Sequence, residues 1–255
     1  MMTAKMLRHR IDQMAPREPI IVGNITSEFS NINALDMAFH RFEKQGLVVR
    51  YTKGIYYKPQ VSRLGNLGID KEALIREKYL YPSGKISGYL TGLQIWNQWG
   101  LTTQIPKKQW IAVEGIRQQR YDKNLEVQLI KARGQITYDA VPALQFLDTL
   151  QQMDMIQDET PERVITKLKK IYGERFTVKD RLIVLQQSGN YSKDVQVLAG
   201  LIAEECIKDD PYFNALLSLM KEKTKTGKKV RIGCKPEIFA GNRTWGNYYA
   251  STSKQ

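Results

Sequence analysis

The chain is poor in the residues from which catalytic and metal centres are most often built. Of its 255 residues only two are cysteine and two histidine. Cys206 and Cys234 cannot make a disulfide framework, and their spacing fits no zinc motif, so a reducing cytoplasm is the expected setting. Both histidines, His9 and His40, fall in the first forty residues, which leaves the large remainder without a histidine-based triad or metal cluster. There is no P-loop, no GxGxxG, and no Asp-x-Asp spacing of the kind a two-metal nucleotidyl transfer site uses. The expectation is a protein that is not an enzyme, with no cofactor and no metal. A nucleic-acid enzyme built from carboxylates distant in sequence is the alternative from that class. Apolar runs are short as well. None approaches the roughly 18 residues of a membrane-spanning helix. The basic start "MMTAKMLRHRIDQMAPREP" lacks the uninterrupted apolar segment of a secretory signal.

What the chain has in excess is positive charge, +13 in all, unevenly spread. Residues 1–60 carry nine Lys and Arg against five Asp and Glu. Residues 61–220 carry 21 against 19, and residues 221–255 carry nine against two. The field is concentrated at the two ends around a nearly balanced middle. Such a field favours polyanions, although a solvated basic surface produces the same numbers.

The first sixty residues have a recognisable order. Ala4, Leu7, Ile11 and Met14 recur at helical spacing, and Pro16 and Pro19 end that helix. "IIV" is a short strand, and "ITSEFS" has room for little more than a turn and a half of helix. In "NINALDMAFHRFEKQG", Asn31 reads as the N-cap and Gly46 as the stop. Leu35, Ala38, Phe39 and Phe42 make one buried stripe. "VVRYTKGIYYKP" then forms a hairpin turning at Thr52–Gly54. Helix, strand, short helix, second helix and hairpin is the order of a winged helix-turn-helix. In that arrangement the second helix of the turn enters the major groove and the wing's cations meet flanking phosphates. The candidate DNA-binding residues are therefore Asn31, Asn33, Met37, His40, Arg41 and Lys44 on the helix, with Arg50 and Lys53 on the wing. Asn can pair with adenine and Met can touch a thymine methyl. His40 is equally an exposed helix residue, and Tyr56 and Tyr57 read as strand packing.

Beyond Pro59 come a connection, "VSRLGNLG", and a helix, "DKEALIREKYL". The next expected helix is capped by Ser87 and buries Leu90, Leu93 and Trp96. Strands follow at "QWIAVEG" and "LEVQLIKA", with Arg117, Arg120 and Lys123 on the connection between them. The small winged unit ending in "KGIYYKP" and followed by "GYLTGLQIWNQWGLTTQIP" resembles the AbiEi-type antitoxins of bacterial type IV toxin–antitoxin systems. "IKARGQITYDAVPALQFLDTLQQMDMI" and "ETPERVITKLKKI" are similar to their helical remainder. The resemblance covers about residues 1–220. It implies an N-terminal domain that binds double-stranded DNA at the operator of its own operon. It also implies a C-terminal domain that opposes a nucleotidyltransferase-like toxin without needing a stable complex. A plain winged-helix regulator and an RNA-binding regulator are the alternatives.

From Tyr138 onward the pattern is helical, with starts at Thr160-Pro161, Thr177, Ser192 and Asp210-Pro211. Glu204 and Glu205, adjacent on a helix, share no face and read as solvated. Residues 221–235 read as a basic linker. The aromatics after it either grip single-stranded nucleic acid or dock on the protein's own surface. The expected architecture is α+β: a winged helix-turn-helix over 1–60, a mixed domain with a small β-sheet and a helical bundle over 61–220, and a basic, aromatic-containing tail over 221–255. The expected working surface of the middle domain is Thr102, Thr103 and Gln104 on one loop, with Arg117, Arg120 and Lys123 on the other. The oligomeric state has no signature in the sequence.

Overall fold

A computed structural model describes residues 2–63, 65–207, 210–225, 230–239, 245 and 248–249. The chain is α+β and divides into two units, residues 1–87 and 88–255.

In the first unit, helix α1 (Met2–Gln13) is followed by strand β1 (Pro19–Ile21) and the single turn α2 (Val22–Ile25). A 3-10 turn (Thr26–Glu28) then leads to α3 (Ile32–Lys44). Strands β2 (Val49–Thr52) and β3 (Ile55–Tyr57) complete an antiparallel sheet in the order β1-β3-β2. Every element expected over residues 1–60 is present. Its core is the stripe read from the sequence. Leu35, Ala38, Phe39 and Phe42 of α3 close on Leu7 and Ile11 of α1, Ile20 of β1 and Tyr56 of β3. Phe39 and Tyr56 stack at 4.5 Å between ring centroids, with planes 16° apart. Tyr57 is also buried, so both tyrosines pack as strand residues.

The boundary expected at residue 60 lies instead after Ser87. The reason is a set of polar ties that return residues 61–87 to the N-terminal body. Arg17 adopts a left-handed φ of 68°, and its carbonyl accepts from the Asp70 amide at 3.0 Å while its Nε donates to the Gly68 carbonyl at 3.1 Å. Asn24 Nδ2 donates to the Glu77 carbonyl at 3.1 Å, and Ser83 Oγ donates to the Asn24 carbonyl at 3.0 Å. The segment itself forms a two-stranded ribbon, β4 (Val61–Ser62) and β5 (Gly65–Asn66), then α4 (Lys71–Ile75), capped by Asp70 and continued by a π-helical turn over Arg76–Leu80.

The second unit opens with β6 (Gly88–Thr91), where the sequence pattern suggests a helix starting at Ser87. Gly92 explains the difference. Its φ is 69°, and a Cβ there would stand 3.1 Å from the Trp110 ring, so the chain turns sharply before α5 (Leu93–Gln98) begins. Strands β7 (Gln109–Val113), β8 (Arg120–Asp122) and β9 (Val127–Lys131) complete a four-stranded sheet in the order β6-β7-β9-β8. β7 and β9 are parallel, and the other pairs are antiparallel. The helices follow as α6 (Val141–Gln151), α7 (Pro161–Lys170), α8 (Val178–Ser188), α9 (Lys193–Cys206) and α10 (Pro211–Lys225). Thr160 and Thr177 cap α7 and α8 as their sequence signals indicate, Thr177 in a reciprocal capping box with Asp180. α9 is buried along Val197–Ala203, the mark of a helix enclosed by its neighbours.

The C-terminal region corrects two expectations. Residues 221–225 continue α10 and are not linker. β10 (Val230–Arg231) pairs in parallel with β11 (Tyr248–Tyr249), and Phe239 and Trp245 are each 1% exposed, docked on the protein's own helices. Trp245 lies over Gly200 of α9, where a Cβ would fall 1.8 Å from the indole. Glu204 and Glu205 are not a solvated face. Glu204 accepts from Trp245 Nε1 at 2.6 Å and pairs with Lys221, while Glu205 pairs with Lys169 at 2.6 Å. Lys169 also sits 4.3 Å above the Phe239 ring. Trp245→Ala is expected to cost about 3–5 kcal/mol in urea unfolding of the intact chain. Gly200→Ala, which evicts the same ring, should cost about 1–3 kcal/mol or more, and the double variant should fall short of the sum. Additive costs would mean that Gly200 and the indole do not share a contact.

Candidate nucleic-acid interface

The exposed side of α3 follows from its buried side. With Leu35, Ala38, Phe39 and Phe42 turned inward, the 100° step of the helix puts Asn33, Met37, His40 and Lys44 on the opposite face, with Arg41 beside them. All five are exposed, Met37 by 75%. The N-terminus of the helix is set by Asn31, whose side-chain oxygen accepts from the Ala34 amide at 2.9 Å. Bidentate pairing with adenine needs that oxygen, so Asn31 can offer only its NH2 without giving up the cap. Among the described residues Asn33 has no such engagement.

The hairpin stands against the same helix. β3 carries Tyr56 onto Phe39, and Arg50 pairs in register with Tyr56 across the ladder. Burial pushes the Tyr56 hydroxyl above its ordinary value; Arg50 opposes that shift, while Glu43 and Asp36 of α3 add to it. Wing and helix charges thus act on one phenol. The turn itself is Lys53–Gly54, and an irregularity between Arg50 and Thr52 bends β2 next to it. Arg50, Lys53 and Lys44 make no ion pair among the described residues. Several other cations of the unit are engaged. Arg8 pairs with Asp12 and Arg10 with Glu28. Lys58 donates to the Asp12 and Met14 carbonyls at 3.1 and 2.7 Å, stopping α1, so it belongs to the scaffold. Arg41 lies 5.7 Å from the Phe42 ring centroid.

The second unit treats the two expected surface loops differently. Thr102 is buried at 6% exposure and cannot form a surface. Asp158 holds the loop: one oxygen accepts from the Thr103 amide at 2.7 Å and from the Thr102 and Thr103 hydroxyls at 2.9 and 3.0 Å. Gln104 is exposed, but its amide donates to Thr102 Oγ1 and its carbonyl accepts from Asn97. This loop is a clamp. Arg117, Arg120 and Lys123 are exposed, and Arg120 lies on the edge strand β8 rather than on a simple connection.

Sequence reasoning missed a buried polar centre. Asp148, 4% exposed, accepts from Tyr89 and Thr91 hydroxyls on one oxygen at 2.8 and 3.0 Å, and from Tyr191 on the other at 2.9 Å. Burial raises its carboxyl above the ordinary value against the pull of the three hydroxyls and Arg133. The signal was available: in "ALQFLDTL" Asp148 stands four residues after Leu144, on the helix stripe that must face inward.

An α+β chain with an exposed basic helix-and-hairpin face is the class these features define. The chain belongs to a family of unknown function, DUF6088, which matches residues 9–176. No curated protein matches it. Among the described residues no helix is long and apolar enough to cross a membrane, and no group of three or more His, Cys, Asp or Glu is placed to hold a metal ion.

The clamp has a pH signature. The Thr103 amide, then the Thr102 hydroxyl, hold Asp158 down from 3.8 to about 2. A carboxyl depressed by folding stabilises the fold above its unfolded value and loses that contribution as pH falls toward its folded one. Asp158→Ala should lower the melting temperature at neutral pH, with the gap from the parent protein closing between about 3.8 and about 2. A gap that persists unchanged to the acid end would assign the loss to something other than the carboxylate.

Proposed function

We propose that residues 1–87 act as a winged helix-turn-helix that binds duplex DNA sequence-specifically, with α3 in the major groove and the β2–β3 turn as the wing. The observation that carries this reading is the solvent-facing stripe Asn33, Met37, His40 and Lys44, which rises from α3 against a hairpin bearing unpaired Arg50 and Lys53. The side chains on the helix suit base edges, and those on the turn suit phosphates. The alternation β1-β3-β2 with a one-turn α2 between β1 and α3 is the connectivity such a reader uses.

The likeness to AbiEi-type antitoxins extends the proposal. In that reading the chain works in the cytoplasm as an autorepressor of its own operon. Its second unit counters a nucleotidyltransferase-like toxin encoded beside it, without a stable complex. The role is that of a binding protein and not of an enzyme. Support for this part is the sequence resemblance through "GYLTGLQIWNQWGLTTQIP", the stretch that folds as β6, α5 and the Asp158-clamped loop.

Each half has its own test. In duplex-binding assays across a salt series, Arg50→Ala and Lys53→Ala should weaken binding equally on all sequences and lower the salt slope by about one each. Asn33→Ala and Met37→Ala should instead cost about 1–3 kcal/mol on the preferred sequence alone. Loss of preference from the wing changes, or none from the helix changes, would reverse the assignment. For the antitoxin half, the intact chain co-expressed with the neighbouring gene product should restore growth, and Arg50→Ala should still restore it. A harmless neighbour, or rescue lost with Arg50, would contradict the division of roles.

A further inference from the structure

The second unit contains a pocket of about 330 Å³ lined by Arg117, Lys131, Arg133, Asp148, Gln152 and Asn190. Its chemistry is divided. The inner wall is acidic or neutral and accepts hydrogen bonds; the outer wall is cationic.

On the inner wall, the Asp148 carboxylate has about four acceptor positions and spends three on Tyr89, Thr91 and Tyr191. One turn along the chain, Gln152 Oε1 is buried and has no donor among the described residues. An acceptor removed from water without a partner costs its whole desolvation penalty, so a donor from outside the chain would complete the site. Asp148 and Gln152 both line this pocket. Burial raises the Asp148 carboxyl above its ordinary value, and shifts of that kind concentrate at functional sites.

On the outer wall, Arg117, Lys131 and Arg133 are exposed, and none makes an ion pair among the described residues. The Arg133 guanidinium lies 5.8 Å from the Tyr191 ring centroid. That ring's hydroxyl is the one bound to Asp148, so a single side chain connects the cationic and acceptor walls. The volume sits at the low end of the roughly 300–1,000 Å³ of small-molecule sites, enough for one compact ligand.

We infer that this pocket binds a purine nucleoside monophosphate, its phosphate on Arg117, Lys131 and Arg133 and its base donors on Asp148 and Gln152. Guanine suits it better than adenine. Guanine presents N1–H and the 2-amino group as adjacent donors to two acceptors, where adenine presents one amino group beside an acceptor nitrogen. The ligand site is independent of the DNA-binding reading, since every residue invoked belongs to residues 88–255.

Isothermal titration of the intact chain with GMP, AMP and inorganic phosphate tests this. GMP should bind saturably, about tenfold or more tighter than AMP, the amount one buried hydrogen bond to a charged group supplies. Inorganic phosphate should bind more weakly than either. Arg133→Ala and Lys131→Ala should each weaken GMP about tenfold. Gln152→Leu should abolish the preference for GMP while leaving the melting temperature of the unliganded protein unchanged or higher, because it removes an unpaired acceptor. Four outcomes would overturn the assignment: no saturable GMP binding at millimolar concentration, AMP bound as tightly as GMP, phosphate bound as tightly as GMP, or GMP binding unaffected by Gln152→Leu and Arg133→Ala.

Discussion

The stack of Phe39 on Tyr56 is the contact on which the N-terminal unit depends. It fixes the rotation of α3 about its own axis, because Phe39 can face β3 only if Asn33, Met37, His40 and Lys44 face away from it. It also fixes the hairpin, since Tyr56 lies on the strand between β1 and β2. An aromatic pair adds about 0.5–1.5 kcal/mol beyond its buried area, so the contact is modest as energy and large as a constraint. The polar ties of residues 61–87 add a second brace around Arg17, whose left-handed backbone is held by hydrogen bonds through both its carbonyl and its side chain.

The second unit is organised by polar groups placed where apolar ones would be the simpler choice. Asp148 and Asp158 are both carboxylates held by hydroxyl donors, yet they respond to pH in opposite senses. Asp158 is exposed and accepts a hydrogen bond from the Thr103 amide, so folding lowers its pKa and its contribution fades in acid. Asp148 is buried, so folding raises its pKa and the contribution fades as pH rises. The first has a structural account as a loop clamp. The second sits in a buried site that disfavours its ionised form. The C-terminal segment is tied by different means: a glycine that opens room for Trp245, and lysines whose ammonium groups lie over the Phe239 and Trp245 rings.

Local signals carried most of what the sequence revealed. The α3 stripe, its Asn31 cap, the Lys53–Gly54 turn, the caps at Thr160 and Thr177, and strands β7 and β9 all depend on residues a few positions apart. What stayed hidden depends on partners far along the chain. Gly88–Thr91 reads as helix until Trp110 is seen to press on Gly92. The unit boundary moved from 60 to 87 because Arg17 and Asn24 bind groups more than fifty residues away. Thr102 looked like surface because its loop is polar, and only Asp158, 56 residues on, makes it interior. Asp148 is the instructive miss. A charge on an apolar stripe was legible, but the tyrosines and threonine that accommodate it come from β6 and the turn before α9.

The central claim is that α3 and the adjoining hairpin read duplex DNA, and selection from a random duplex library by the intact chain addresses it most directly. The account predicts that successive rounds converge on one short motif, with flanking positions unconstrained where only the wing makes contact. Convergence on no motif, or retention of duplexes in proportion to length alone, would reduce the basic face to a non-specific polyanion surface and contradict the account.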